Sequence, residues 1–185
     1  MKRLTVLMLV FVFVITVSLT GCSTPPAEEG ADMTDMAYVQ DKGTLVVGIT
    51  DFAPMDFKDE SGNWIGFDAD MARDFADYLE VDLEFVEIDW DNKILELNSK
   101  AIDCVWNGMT LTDEVKNAME CSNPYSDNAQ VVVVPAEEAD KYQDKESIAE
   151  LTFAVESGSA GEAAITDLGY ESVAVQSQSS ALMEV

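Results

Sequence analysis

Histidine is absent from the 185 residues, and arginine occurs only as Arg3 and Arg73. Without histidine there is no Ser-His-Asp triad and no His-ligated zinc. Bases are scarce altogether: 10 Lys and Arg stand against 36 Asp and Glu, a formal charge of -26. Such a chain repels phosphate backbones, so nucleic-acid binding is disfavoured. Internal repeats are missing, and low complexity is confined to one stretch near the N-terminus. What is present is apolar mass. Hydrophobic residues make up 48%, too many for a disordered acidic tail, so part of the chain builds a core. The length suits one ordinary domain or two small lobes.

Met1-Lys2-Arg3 is a short basic start, and Leu4 to Leu19 is uncharged and mostly Leu, Val, Phe and Ile. That run is marginal for a membrane span, which takes about 20 residues. Basic start, apolar middle and small residues behind it predict a secretory signal over residues 1–22. It ends in Leu19-Thr20-Gly21-Cys22, which resembles a bacterial lipobox and implies lipid attachment at Cys22. The alternative is a membrane anchor with a chance cysteine. Residues 23–40 are expected to be a flexible tether, because they open with two prolines, a glycine and few apolar groups. Export permits a disulfide between Cys104 and Cys121, which could equally be small buried thiols.

Beyond the tether, strand and helix patterns alternate. Thr44 to Ile49 reads as a buried strand, and Asp59 to Asn63 as the turn of a hairpin. Asp68 is expected to cap a helix whose buried face is Phe67, Met71, Phe75, Tyr78 and Leu79. Leu83 to Ile88 reads as a strand, followed by a helix capped by Asp91. Ala101 to Trp106 is a predicted strand, Thr112 to Met119 a short helix, and Ala129 to Val134 a strand with four valines. Residues 136–150 are strongly charged and expected to be a loop with a short helix. Leu151 to Val155 and Glu171 to Val175 read as strands, with a helix opened by Ser157 to Gly161 between them. Ser179 or Ser180 would cap a last helix, barely one turn before Val185, so the sequence is read as part of a longer protein. The alternation implies an α/β fold with a largely parallel sheet.

Five segments carry a resemblance. Leu45 to Phe57, Gly62 to Met71, Asn107 to Thr112, Cys121 to Tyr125 and Val155 to Gly161 follow in one order. That order is similar to polar amino-acid binding proteins of ABC importers, the bacterial extracellular solute-binding family 3. The resemblance implies a type II periplasmic-binding-protein-like fold of two α/β lobes, closing by hinge motion on a ligand between them. Residues 41–130 would be lobe 1, and residues 131–185 part of an apparently truncated lobe 2. It further implies no enzymatic activity, no cofactor and no metal.

Such a ligand needs partners for its carboxylate and ammonium groups and a surface for its side chain. Phe52 sits where the family places an aromatic wall; the alternative is a core phenylalanine. Trp106 could be wall or core, and Trp90 could line the site or pack a helix start. Asn107, Gly108 and Thr110 match a turn that offers backbone groups and a hydroxyl to an anion, while Thr112 suffices as the helix cap. Ser159 and the N–H of Ala160 would supply the second lobe's grip, unless Ser159 is an ordinary cap. The family commonly has an arginine where this chain has Val115. Arg73 lies on an outward helix face, and Lys116 points about 100° away from Val115, so the usual bidentate clamp is missing.

The expected function is therefore the lipid-anchored, extracytoplasmic binding component of an importer, presenting an amino-acid-like solute to a membrane permease, as a monomer. Two alternatives remain. One is an enzyme on the same fold, dehydratase or cell-wall lyase related, with Asp51 and Asp56 as candidate carboxylates. The other is a sensory module for a membrane kinase.

Overall fold

The computed structural model describes residues 34–185. The signal, Cys22 and most of the tether lie outside the described residues. Residues 35–40, expected to be tether, are instead helical: α1 spans Asp35–Lys42 and buries Val39 against the first core. Val39, with Tyr38 packed beside it, docks a short helix that would be marginal alone.

The first sheet is parallel in the order β4-β1-β5. Its centre is β1 (Thr44–Ile49), flanked by β4 (Asp82–Glu87) and β5 (Cys104–Val105). A central strand is covered on both faces, which explains the continuous apolar run. Val47 and Ile49 are fully buried. The predicted strand 101–106 is trimmed to two ladder residues, but its flanks still bond to β1. Asp103 N–H donates to Val46 O at 2.8 Å and Trp106 N–H to Gly48 O at 3.1 Å. The hairpin pairs β2 (Phe57–Lys58) with β3 (Trp64–Ile65). In its turn the Asp59 carboxylate accepts the N–H groups of Ser61 and Asn63.

Helix α2 (Phe67–Leu79) is present, but its buried face is corrected. Ala69, Ala72, Ala76 and Leu79 face the core, while Phe67, Phe75 and Tyr78 are exposed. Small side chains let the helix approach the sheet, and the aromatic rings cannot share that spacing. Nor does Asp68 cap the helix: Gly66 holds that position and Asp68 is buried within the first turn. Asp91 is not the cap of α3 (Lys93–Asn98) either, which continues directly from a 3-10 turn at Trp90–Asn92.

The second sheet joins β6 (Thr152–Glu156) in parallel to β7 (Glu171–Val175). The crossover is α5 (Ala160–Leu168), the right size for a βαβ unit. Ile148, Phe153, Val155 and Ile165 form a separate small core. The predicted valine strand does not form. Residues 129–134 pair with no strand, and Val131, Val132 and Val133 are exposed. A β-branched run becomes a strand only when another strand offers its edge, and here β6 pairs with β7 alone. The last helix, α6 (Gln178–Met183), is capped by Ser177 rather than Ser179 or Ser180. Both Cys104 and Cys121 are free thiols, so the disulfide alternative does not hold. Burial pushes the Cys104 thiol up to about 12.

Candidate functional site

In parallel sheets, ligands gather in the crevice beyond the carboxyl ends of the strands. A cavity of about 400 Å³ lies at these ends in both sheets. Phe52 follows β1, Trp90 follows β4, Asn107 to Thr110 follow β5, and Glu156 to Ala160 end β6 and start α5. Chain direction alone thus brings together segments more than a hundred residues apart.

Seven of the nine residues expected to meet ligand line this cavity: Phe52, Trp90, Asn107, Gly108, Thr110, Ser159 and Ala160. Phe52 is held by a tight turn, its N–H donating to Asp56 O at 2.7 Å. Gly108 has φ 59, and a Cβ there would come within 3.1 Å of the Phe52 ring. Glycine lets the binding turn lie against the aromatic wall. Asn107 spends its side chain inside the lobe. Its Oδ1 accepts Thr50 N–H at 2.9 Å, and its Nδ2 donates to Thr50 Oγ1 at 2.7 Å. It braces the loop after β1 against the loop after β5. Thr110 Oγ1 accepts from Asn128 Nδ2 at 2.6 Å and Gln130 Nε2 at 3.2 Å.

Thr112 caps α4 (Asp113–Ala118), its Oγ1 accepting Val115 N–H. Ser159 caps α5, accepting Glu162 N–H at 3.1 Å, while Glu162 reaches back to accept Gly158 N–H at 2.7 Å. This is a variant of the capping box: Glu162 is at the usual third helical position, but the N–H it accepts belongs to the residue before the cap. Ser159 therefore has both placements expected of it, cap and cavity wall.

The other two are corrected. Trp106 is not on the cavity: it packs against the first core, with its ring edge-on to Phe75 at 5.8 Å. Lys116 is exposed, its nearest carboxylate being Asp113 at 4.0 Å. It lies one residue from Val115, and Val115 is the residue that faces the cavity and is buried. The helical offset of about 100° decides the matter. Arg73 is also committed elsewhere, to Asp70, to the Trp64 carbonyl and to the Phe85 ring.

Three charged residues that carry no local sequence signature line the cavity: Glu114, which is exposed, and Lys93 and Glu156, which are buried. Lys93 is 7% exposed. Its Nζ lies over the Trp90 ring and donates to Trp90 O at 3.1 Å and Gly158 O at 3.0 Å, joining the two sheets. Burial lowers its pKa, offset by the charges of Glu114, Asp91 and Glu156. Glu156 is 3% exposed. Burial raises its pKa, offset by the Thr50 hydroxyl, the Gln178 amide and the Lys93 charge. The available signal was position: Glu156 ends β6, and Lys93 opens the helix that follows β4.

Deeper in the first lobe, Asp56 and Asp68 are fully buried, and none of their four oxygens has a well-formed hydrogen bond. Burial, then the neighbouring Asp68, raises Asp56 to about 8. Burial also raises Asp68, which the Tyr125 hydroxyl and the Gly108 N–H partly offset. The pair supports the Phe52 turn from behind rather than facing the cavity.

Known proteins resemble this chain in sequence and fold. A probable histidine-binding protein of Neisseria gonorrhoeae is 36% identical over 107 residues, covering 58% of this chain and 40% of the relative. The crystal structure of an ancestral amino acid-binding protein, a precursor of cyclohexadienyl dehydratase, superposes with a TM-score of 0.77 at 33% identity, covering 81% of this chain and 68% of that one. The arginine-bound form of truncated ArgBP from T. maritima gives 0.75 at 35% identity, covering 80% and 70%. The chain spans less than half the length of the curated relatives it matches. The family model for bacterial extracellular solute-binding proteins, family 3, matches residues 45–184. With that match over most of its length and the α/β fold in agreement, the chain belongs to the bacterial extracellular solute-binding proteins, family 3.

Proposed function

We propose that this chain captures an amino acid or amino-acid-like solute and delivers it to an ABC permease. The observation that carries the reading is the cavity at the strand ends, walled by Phe52 and Trp90 and closed by loops from both sheets. Its size suits a single small metabolite. In this reading residues 41–130 act as one lobe and 131–185 contribute to the other. Cys22 carries a lipid that holds the body outside the cell, at the membrane, through the tether. Phe52, Trp90, Gly108, Thr110, Ser159 and Ala160 touch the ligand.

A panel of amino acids tested by thermal shift checks this. A true ligand at 100 times its Kd stabilises the fold by about 2.7 kcal/mol. Saturable stabilisation by at least one amino acid is expected. No shift across the common amino acids and cystine would sink the reading. Mass spectrometry of the membrane fraction tests the anchor, which predicts acyl chains on Cys22.

Catalysis on the same fold is the second reading. It is favoured by Glu156, an acid on the cavity wall whose pKa burial raises above the ordinary carboxylate value. Product formation from a cyclic carboxylic acid substrate, abolished in Glu156→Gln, would replace transport by catalysis.

A further inference from the structure

Val115 leaves the cavity without the arginine that the family resemblance leads one to expect, yet the cavity is not uncharged. Lys93 brings a buried ammonium group from the first lobe, and Glu156 a buried carboxylate from the second. Neither enters an ion pair among the described residues. We infer that these two residues form the charged pair that reads a zwitterionic ligand, Lys93 taking its carboxylate and Glu156 its ammonium group. The inference rests on the reading of the cavity as an amino-acid site.

Bond counting leads to it. A lysine ammonium has three donors. Two are committed to the carbonyls of Trp90 and Gly158. The third remains for an acceptor in the cavity. Glu156 Oε2 accepts Gln178 Nε2 at 3.3 Å, while Oε1 is buried without a well-formed hydrogen bond, the Thr50 hydroxyl acting on the carboxylate only in part. A buried carboxylate oxygen left without a donor is costly, and an ammonium group removes that cost. Lys93 and Glu156 feel each other's charge without touching. A ligand with opposite charges at its two ends completes both halves at once. Each alone is expensive to hold in a low-dielectric pocket, and the ligand supplies what each lacks. Lysine presents a point charge rather than a fork, so one strong bond replaces the bidentate clamp. The Gly158 carbonyl ties the same ammonium group to the second lobe, so the carboxylate partner is positioned only when the lobes are together.

Matched probes test this by isothermal titration of the chain: L-arginine against agmatine, which lacks the carboxylate, and against 5-guanidinopentanoate, which lacks the ammonium. L-histidine is tested against histamine and imidazolepropionate in the same way, and the same triplet is built for whichever other amino acid binds. Wild type is expected to prefer the amino acid over both analogues by at least about tenfold. Lys93→Gln should erase the preference over the amine and keep the preference over the deaminated acid. Glu156→Gln should do the reverse. Lys93→Arg should restore the preference over the amine. A purely structural role lowers all affinities together and leaves the ratios alone; that result, or equal wild-type affinity for an amino acid and its analogues, overturns the inference. If Lys93→Gln does not fold, Glu156→Gln with the deaminated acid decides by the same criterion. Failure of every amino acid to bind wild type removes the amino-acid reading and this inference with it. Tight binding with unchanged ratios in the variants removes this inference alone.

Discussion

Asp56 couples stability to pH through one side chain. Its carboxyl is fully buried, and burial and Asp68 hold its pKa at about 8 against an ordinary 3.8. The folded state therefore keeps a proton that the unfolded chain releases. The stabilisation is complete below about pH 4 and is lost as pH rises to about 8. Each unit of difference is worth about 1.4 kcal/mol. Asp56→Asn, which cannot ionise, should flatten the fall in urea-unfolding stability across this window. Parallel pH slopes for the two proteins would show that Asp56 is ionised in the fold. Gly158 makes a second residue-scale prediction. At φ 70 its missing Cβ would lie 2.7 Å from Asp91 Oδ1 and 2.8 Å from Asp91 Cα. Gly158→Ala should cost more than about 1 kcal/mol and weaken ligand binding, because backbone strain and a backbone clash coincide. An unchanged urea midpoint would contradict that. At this scale the site was legible where residues have local signatures: an aromatic before Ala-Pro, a turn before a short helix, a serine cap. Lys93 and Glu156 have none. A lysine in a helix and a glutamate at a strand end look like solvated charges until tertiary packing buries them.

The element whose reading changed most is α2. Its hydrophobic periodicity correctly marked a helix and the buried Leu79, but it placed Phe67, Phe75 and Tyr78 on the buried face, and they are exposed. The aromatic stripe is the larger apolar signal, yet packing distance selects the alanine stripe for the sheet. The consequence is direct. Ala72, fully buried, should not accept Leu: overpacking at that point costs about 1–3 kcal/mol. Tyr78, 79% exposed, should accept Ala with a change within about 0.5 kcal/mol. Chemical denaturation of both variants checks the pair, and the opposite order would restore the aromatic face. The valine run shows the complementary limit. Four adjacent β-branched residues carry strong strand propensity, but a ladder needs a partner at the right edge, and propensity does not encode one. The long strands that were read correctly, β1, β4, β6 and β7, are those whose partners follow from right-handed βαβ order.

Over the whole molecule, charge is the property most legible in the sequence and the one whose consequence needed the structure. The net charge of -26 is a repulsive term that grows as the chain compacts. Ion pairs do little to offset it. Among the described residues, Lys42–Asp103 alone includes a buried side chain, with Asp103 5% exposed; the others lie at the surface. Surface pairs are worth about 0–1 kcal/mol each. Repulsion should therefore outweigh attraction, and screening should stabilise. The Debye length falls from about 30 Å at 0.01 M to about 3 Å at 1 M. The melting temperature should rise over that range of NaCl, and equally in KCl, since screening does not depend on the cation. The acids of residues 137–146 give the rise a location. Glu137, Asp140, Asp144 and Glu146 are exposed along one charged segment. Replacing them with Gln and Asn should raise the melting temperature at low salt and shrink the salt-dependent gain. A melting temperature that falls with salt would mean that the few ion pairs outweigh the excess of acids, and the same four substitutions would then be neutral or harmful.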